Sequence, residues 1–362
     1  MYKTIVSIGL FTACTLLFVQ PAASAGEEIR AAIDIGSGTT NMKIAKIDTD
    51  NNTIITMLFQ KTLPVAYQSH LEKNGLFDQE VMQAGLKAMK ILKEDADKYQ
   101  VKKIVAVATA AFRSSKNAQV LVDEIMKQTG IEVKVISQEQ EGILGFRAAV
   151  ADASVRPEQA VVWDIGGGSF QLTTLDDAGN YVVEKGTEAS VPFRNYIIQK
   201  IEGKDPKQVS TPNPMSRADM LKAIAYAETI AAGTNALIKQ KICQSETCVL
   251  CIKAVGNLFN IGIRSLVNGK PQVTRSELNA AVMQLAEKGD AEIPGGAHAD
   301  VYISNALLVL GFMNALNIQQ VTVLDINNTD GVLTFPDYWK LPEEGVAQPK
   351  VKTVEAIPVL VN

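Results

Sequence analysis

The chain has 362 residues, of which 47% are hydrophobic and 20% are charged, and its formal net charge is −4. This composition is typical of a globular protein, and the length is sufficient for two domains that each have a core. The small acidic excess excludes a global attraction to nucleic acid, so we expect no nucleic-acid partner. Any anionic ligand must then be held by local groups.

The N-terminal residues 1–25 have the pattern of an export signal. Lys3 precedes an apolar run over 5–19, and Ala23-Ser24-Ala25 follows as a cleavage site. We therefore predict cleavage after Ala25, a periplasmic or otherwise exported mature protein, and no stable membrane insertion after cleavage. An uncleaved anchor is the alternative, but the run is short for a span of roughly 20 apolar residues. Cys14 would fit a lipoprotein site, yet the apolar run continues beyond it.

The first half of the mature chain predicts strands followed by alternating helices and strands. Alternating apolar residues predict a β-hairpin over Ile29–Asp48. Asp78 is placed to cap a helix, and Gly130 is placed to end one. The predicted elements that follow the hairpin are strand 52–65, helix 77–99, strand 102–112, helix 114–130, strand 132–137 and helix 138–153.

The second half repeats this order. It begins with strand 160–165 and a meander over 170–186, and Thr274 and Glu277 form a capping box at the start of a helix. The pattern predicts two α/β domains of similar plan around a cleft, over 26–148 and 149–338, with a C-terminal tail over 339–362. The remaining predicted elements are helices 190–199, 217–240, 274–288 and 299–316 and strands 248–256 and 319–325.

Both halves contain an Asp-Ile-Gly sequence at a hairpin turn, at Asp34 and at Asp164. Glycine has no Cβ, so its backbone N–H groups are able to approach phosphate oxygens, and the adjacent carboxylate is suited to bind a metal or orient water. Asp-Gly turns are also the commonest hairpin signal, which would explain a single copy without any function. Two copies, each opening one half, predict a phosphate-binding cleft between two related domains.

Two further positions fit such a cleft. Arg113 follows a buried strand at the edge of a sheet where α/β proteins place their sites, and its guanidinium suits phosphate. Glu139 and Glu141 begin a predicted helix, where a general base would act on water. The alternatives are an ordinary surface arginine and acidic residues that merely stabilise the helix N-terminus.

The cysteines that remain after signal removal are Cys243, Cys248 and Cys251. In an oxidising compartment we expect a disulfide between Cys243 and either of the other two. A thiolate metal site is the alternative, but no histidine or fourth cysteine lies nearby in the sequence.

The ordered motifs AIDIGSGTTN, ATAAFRSSKNA, VISQEQEGILG and VVWDIGGGSFQL resemble those of the exopolyphosphatase / guanosine pentaphosphate phosphohydrolase family, over roughly 29–172. The resemblance implies the fold of the actin, sugar-kinase and chaperone ATPase superfamily, two ribonuclease-H-like domains with an interdomain cleft, in a short exported form. It implies hydrolysis of a terminal phosphoanhydride with Mg²⁺, and it leaves a homodimer open.

The same resemblance implies a role for each matching residue. Glu141 corresponds to the catalytic base, and Asp34 and Asp164 correspond to metal-binding carboxylates. Phosphate-binding roles fall on Asp34, Gly36, Ser37, Thr39, Arg113, Gly166, Gly167, Gly168 and Ser169.

The chain departs from the family pattern at Gly38, Gln140 and Gln171, where the family has Asn, Glu and Glu. Loss of the carboxylate at 171 predicts weaker Mg²⁺ binding. The expected function is an exported hydrolase acting on polyphosphate or a related small phosphoanhydride. The alternatives are a catalytically weakened phosphate- or nucleotide-binding protein and, with less support, a sugar kinase.

Overall fold

The computed structural model describes residues 26–244, 246–252, 259 and 262–339. The predicted signal at 1–25 and the tail from 340 lie outside these residues. The first sheet begins with the predicted hairpin, in which β1 and β2 are antiparallel and the residue opposite Asp34 is Asn41. The sheet has the order β3-β2-β1-β4-β5, with β4 parallel to β1 and β5 parallel to β4. Its strands are Glu27–Ile35 (β1), Thr39–Asp48 (β2), Thr53–Pro64 (β3), Ile104–Ala108 (β4) and Val133–Val135 (β5).

Local sequence signals determine where the helices of this half begin and end. The Asp78 side chain accepts a hydrogen bond from Val81 N, as predicted for an N-cap. Gly130 ends its helix with φ of 70°, a left-handed conformation that suits glycine. Ser137 and Gln140 form a capping box that starts the helix carrying Glu141. The helices are Tyr67–Asn74 (α1), Gln79–Lys98 (α2), Ala110–Ser114 (α3), Ala118–Thr129 (α4) and Gln138–Ala153 (α5).

The second sheet repeats the topology of the first. It has the order β10-β11-β9-β6-β7-β8, in which β6, β7 and β8 form an antiparallel meander and β9 and β11 continue parallel to β6. Apart from the short edge strand β10, this order matches that of the first sheet. The strands are Ala160–Ile165 (β6), Phe170–Leu175 (β7), Tyr181–Gly186 (β8), Cys248–Ile252 (β9), Gln272–Thr274 (β10) and Gln320–Leu324 (β11).

The helices of the second half pack around a large apolar core. Trp163, which is fully buried, lies within 5.2 Å of the rings of Phe259 and Phe312, measured between centroids. Within the described residues, no helix combines the length and apolar character that a membrane crossing requires. The helices are Ser190–Tyr196 (α6), Arg217–Ala232 (α7), Ala236–Ile242 (α8), Arg275–Met283 (α9), Ala299–Ala315 (α10) and Asn328–Thr334 (α11).

Helices α5 and α11 join the two halves. Helix α5 packs on β6, β7 and β8 of the second sheet, while α11 packs on β1 and β2 of the first, and the two helices pack on each other. The boundary predicted between residues 148 and 149 falls within α5 and stays a prediction. This exchange of helices brings residues from both sheets to one cleft.

Two sequence predictions need correction. The helix predicted over 217–240 is two helices, because α7 ends at Ala232 and Asn235 caps α8 by accepting from Leu237 N. The strand predicted over 102–112 ends at Ala108, and α3 follows it.

The predicted disulfide is also wrong, because Cys243, Cys248 and Cys251 are free thiols in the structure. Cys248 and Cys251 lie three apart in β9, so their side chains face opposite sides of the sheet. Cys251 is buried in the core of the second half, and burial raises the pKa of its thiol. Within the described residues, no group of three or more cysteine, histidine or acidic side chains forms a metal cluster either.

Candidate active site between the two hairpins

The two hairpin turns use the same backbone device. Gly36 N donates to Thr39 O and Gly166 N donates to Ser169 O, each at 2.9 Å. A Cβ added to Gly167 would lie 3.1 Å from the Ser37 Cβ. The turns therefore face each other at contact distance, and Gly167 is needed for their close approach.

Backbone groups that follow each meander bind the carbonyl oxygens of the turn. Gln68 N donates to Ser37 O at 2.9 Å, and Val191 N donates to Gly167 O at 3.0 Å. Carbonyl oxygens would repel a phosphate. Because these oxygens are already engaged as acceptors, the turns are suited to offer their N–H groups to an anion.

A cleft with about 570 Å³ of empty space lies between the turns. The structure brings every sequence-predicted site residue to this region, and all but Arg113 line the cleft directly. The lining residues are Asp34, Gly36, Ser37, Gly38, Thr39, Asn41, Thr109, Ala110, Glu141, Asp164, Gly166, Gly167, Gly168, Ser169, Asn327 and Asn328.

Arg113 connects the predicted base to the second turn. Its Nη1 lies 2.8 Å from Glu141 Oε2 and donates to Ile136 O, and its Nη2 donates to Ser169 Oγ at 3.2 Å. Helix α3 holds Arg113 at the carboxyl end of β4, where the sequence placed it. Arg113 therefore lies just behind the lining residues and contacts two of them.

Glu141 lies in the first turn of α5 and is only 7% exposed. Burial raises the pKa of its carboxyl above the ordinary value, and Arg113 partly opposes this rise. Gln171, which is fully buried, points its amide at the same carboxylate, with 3.4 Å between Nε2 and Glu141 Oε2. The arrangement holds one buried carboxylate against an arginine and an amide donor.

Asp34 and Asp164 end the central strands of the two sheets. Burial and the neighbouring Glu141 raise the pKa of Asp34 to about 7, while Arg113 and a hydrogen bond from Asn328 act in the opposite direction. Asp34 Oδ1 is buried without a hydrogen-bond partner. Asp164 is partly exposed in the cleft and lies opposite Gln171 in the β6–β7 pairing.

Sequence reasoning missed the contribution of α11. Asn327 caps this helix, and its side chain accepts from Thr329 N at 2.9 Å. Both Asn327 and Asn328 line the cleft, and Asn328 contacts Asp34. The available signal was the sequence Asn327-Asn-Thr-Asp330, a capping box directly after a buried strand.

Comparison with known proteins agrees with this geometry. The family model described as the Ppx/GppA phosphatase family matches residues 32–186, from β1 to the end of β8. Residues 32–186 of the chain are therefore similar to the Ppx/GppA phosphatase family. The matched segment contains both hairpins, Arg113 and Glu141, and the family is one of phosphatases, which are hydrolases.

A curated relative matches the chain over a comparable length. The bifunctional 3-dehydroquinate synthase/phosphatase of Fusobacterium nucleatum subsp. nucleatum is 29% identical over 151 residues, which are 40% of this chain and 23% of that protein. The chain therefore spans less than a quarter of the length of this relative.

Solved Ppx/GppA structures share the fold over most of the chain. The Aquifex aeolicus family member is 17% identical, with a TM-score of 0.65 over 85% of this chain and 97% of that one. An exopolyphosphatase from Cytophaga hutchinsonii is 19% identical, with a TM-score of 0.67 over 84% and 96%. The chain thus shares the two-sheet α/β fold of these structures.

The cleft has a donor set that fits a magnesium ion. Mg²⁺ is usually bound by one or two carboxylates together with phosphate oxygens and water, and not by a full protein cage. Asp34 and Asp164 are two carboxylates in one cleft, and the unpartnered Oδ1 of Asp34 is a buried oxygen that needs a donor or a cation.

Proposed function

We propose that the protein hydrolyses the terminal phosphoanhydride bond of polyphosphate or a related polyphosphorylated compound, with Glu141 as the general base. The observation that carries this proposal is the burial of Glu141 beside Arg113 in a cleft formed by two facing glycine turns. The match of residues 32–186 to a phosphatase family supports the reaction class. The substrate and the base rest on the geometry of the cleft.

The turns would bind the substrate through backbone N–H groups. These are the N–H groups of Ser37 and Gly38 on one side and of Gly167 and Gly168 on the other. The carbonyl oxygens of Ser37, Gly38 and Gly167 already accept backbone hydrogen bonds. The Ser37, Thr39 and Ser169 hydroxyls provide further donors. A chain of phosphates would therefore lie between the two halves with its terminal group near Glu141.

Arg113 would move from the base to the substrate. In the structure its guanidinium pairs with Glu141, and an entering phosphate offers a competing anion with oxygens suited to the same group. Once Arg113 binds phosphate, the negative charge of the Glu141 carboxylate is less compensated. The pKa of this carboxyl then rises, so Glu141 becomes a stronger base. It would then accept a proton from a water that attacks the terminal phosphorus.

Asp34 and Asp164 would hold Mg²⁺. A bound Mg²⁺ supplies positive charge that offsets the negative oxygens of the transferring phosphoryl group. Because burial and Glu141 raise the pKa of Asp34, a nearby cation would also favour its ionised form.

We also propose that the protein acts outside the cytoplasm. The support is the signal pattern at 1–25, which lies outside the described residues. Cell fractionation and N-terminal sequencing test this, and we expect a mature protein that begins at Gly26. Recovery of uncleaved chain from the cytoplasm would contradict export while leaving the proposed reaction standing.

Phosphate release from polyphosphate by purified protein tests the function. We expect Mg²⁺-dependent release in the wild type and a loss of at least about a hundredfold in Glu141→Gln, since general bases contribute about 10²–10⁴-fold. Calorimetry with polyphosphate tests binding in the same variant, which should be retained. Binding without turnover in the wild type would instead support the phosphate-binding alternative, which the amide at Gln171 favours.

A further inference from the structure

The side chain of Asn328 is fixed in the cleft by the packing of α11. Lys43 Nζ on β2 donates to both carboxylate oxygens of Asp330, at 2.8 and 2.7 Å, and Asp330 Oδ2 accepts from Asn327 N at 2.8 Å. A Cβ on Gly331 would lie 2.3 Å from Leu144 O, so α11 also lies against the backbone of α5. Contacts with β2 and α5, together with the capping box of α11 itself, thus fix the position of Asn328.

Asn328 is 6% exposed, lines the cleft and hydrogen-bonds Asp34. The amide nitrogen is the donor in this contact. The amide oxygen, Oδ1, is buried without a hydrogen-bond partner, as is Asp34 Oδ1. Buried polar atoms are almost always satisfied, so two oxygens without donors on two interacting residues require an explanation.

Gln171, on β7 beside the second turn, presents a hydrogen-bond donor where the family has a carboxylate. Gln171 points its amide nitrogen toward both Glu141 and Ser169, at 3.4 Å each, and therefore presents a donor there. Glu141 is already paired with Arg113. Among the described residues that line the cleft, the buried side-chain oxygens without a hydrogen-bond partner are Asp34 Oδ1 and Asn328 Oδ1.

We propose that Asn328 is a divalent-cation ligand of this protein, binding through its amide oxygen beside the carboxylate of Asp34. Carboxylate and amide oxygens are both ligands that hard divalent cations accept. The inference rests on the proposed function for the presence of the cation. It adds a ligand from α11 that compensates for the missing carboxylate at position 171.

Mn²⁺ binding to the purified full chain tests the ligand directly. We would measure it by calorimetry and by electron paramagnetic resonance, with Mn²⁺ alone and with methylenediphosphonate, a non-hydrolysable anhydride analogue. The variants are Asn328→Ala and Asn328→Asp, with Asn314→Ala on the exposed face of α10 as the matched control. Circular dichroism checks that each variant is folded.

We expect Asn328→Ala to bind Mn²⁺ at least about tenfold more weakly than Asn314→Ala, because even the loss of an outer partner of a metal site costs 10–100-fold. Asn328→Asp keeps the oxygen and adds charge, so its affinity should equal or exceed that of the wild type. A purely structural amide would not be rescued in this way. If Asn328→Ala does not fold, weaker binding by Asn328→Asp than by the control overturns the inference.

Equal affinities of Asn328→Ala and Asn314→Ala would overturn the proposal, as would the absence of Mn²⁺ binding by the wild type with and without methylenediphosphonate. The experiments can contradict the ligand role of Asn328 and the hydrolase activity independently of each other. Mn²⁺ binding that depends on Asn328, without phosphate release from polyphosphate, would support the ligand and contradict the hydrolase. Phosphate release with unchanged Mn²⁺ affinity in Asn328→Ala would do the reverse.

Discussion

Arg113 Nη1 lies 2.8 Å from Glu141 Oε2, so the proposed base and the proposed phosphate-binding arginine are partners before substrate enters. Both side chains are largely buried, at 20% and 9% exposure. Removing one partner of a buried ion pair is strongly destabilising, because it leaves the other charge buried without compensation. The entry of a phosphate would replace one partner of Arg113 with another and release the carboxylate for chemistry.

Replacing Arg113 with alanine tests this pairing. Arg113 lowers the pKa of Glu141, so its removal should raise that pKa. Because a general base must be unprotonated, the acid limb of the pH–rate profile should move to higher pH, and kcat/KM should fall by about 10²-fold or more as one charged phosphate contact is lost. An acid limb that stays in place would contradict the pairing; Arg113→Lys, which keeps the charge, is the control and should shift it less.

Replacing Gln171 with glutamate tests the departure from the family pattern. The new carboxylate would lie about where the amide now donates to Glu141, so like charges would meet in a buried site. We expect a lower melting temperature in metal-free buffer and a larger gain on adding Mg²⁺ than the wild type shows. Identical responses to Mg²⁺ in the two proteins would show that position 171 does not affect the cation.

Asp34 should make stability depend on pH. Its pKa of about 7 exceeds the ordinary value of 3.8, so the folded protein holds a proton that the unfolded chain releases between these values. The free energy of unfolding therefore falls as pH rises from about 4 to about 7, and the cost persists above pH 7. Asp34→Asn cannot ionise and should be more stable than the wild type at pH 8 without metal.

The loss in free energy of unfolding that Asp34 causes between pH 4 and pH 8 has an upper limit of about 4 kcal/mol, since a tenfold change in proton affinity is about 1.4 kcal/mol. Urea unfolding of both proteins at pH 4 and pH 8, with chelator present, measures it. A stability gap that is the same at the two pH values would contradict the raised pKa.

Replacing Gly331 with alanine should separate α11 from α5. The added Cβ would meet Leu144 O at 2.3 Å, which forces a backbone movement, and overpacking of this kind costs about 1–3 kcal/mol. Gly289→Ala is the control, because its nearest atom is Glu292 Oε2 at 3.5 Å. Urea midpoints that fall equally in both variants would show that the contact is not a close one.

Much of this fold follows from local sequence signals. The hairpin over Ile29–Asp48, the Asp78 cap, the Gly130 stop and the Thr274 capping box were all predictable because each depends on neighbouring residues. The break between α7 and α8 was not, since the apolar pattern continues across Gly233 and only the Asn235 cap marks a new helix.

The site was predictable where a motif repeats and not where tertiary packing decides. The two Asp-Ile-Gly turns pointed to the cleft, and Arg113 and Glu141 followed from their motifs. Asn328 lies in a helix of seven residues, too short for a periodic signal. Its place depends on Lys43 and Leu144, which are distant from it in sequence. The contact between Gln171 and Glu141 likewise joins β7 to α5 and has no local signature.

Hydrolysis of polyphosphate in H₂¹⁸O tests the central claim most directly. If water activated by Glu141 attacks the terminal phosphorus, each released phosphate should carry one ¹⁸O from solvent, and the shortened chain should carry none. Glu141→Gln should release labelled phosphate at least about a hundredfold more slowly while still binding polyphosphate. Equal release rates in the two proteins, or ¹⁸O found in the remaining chain, would contradict the account.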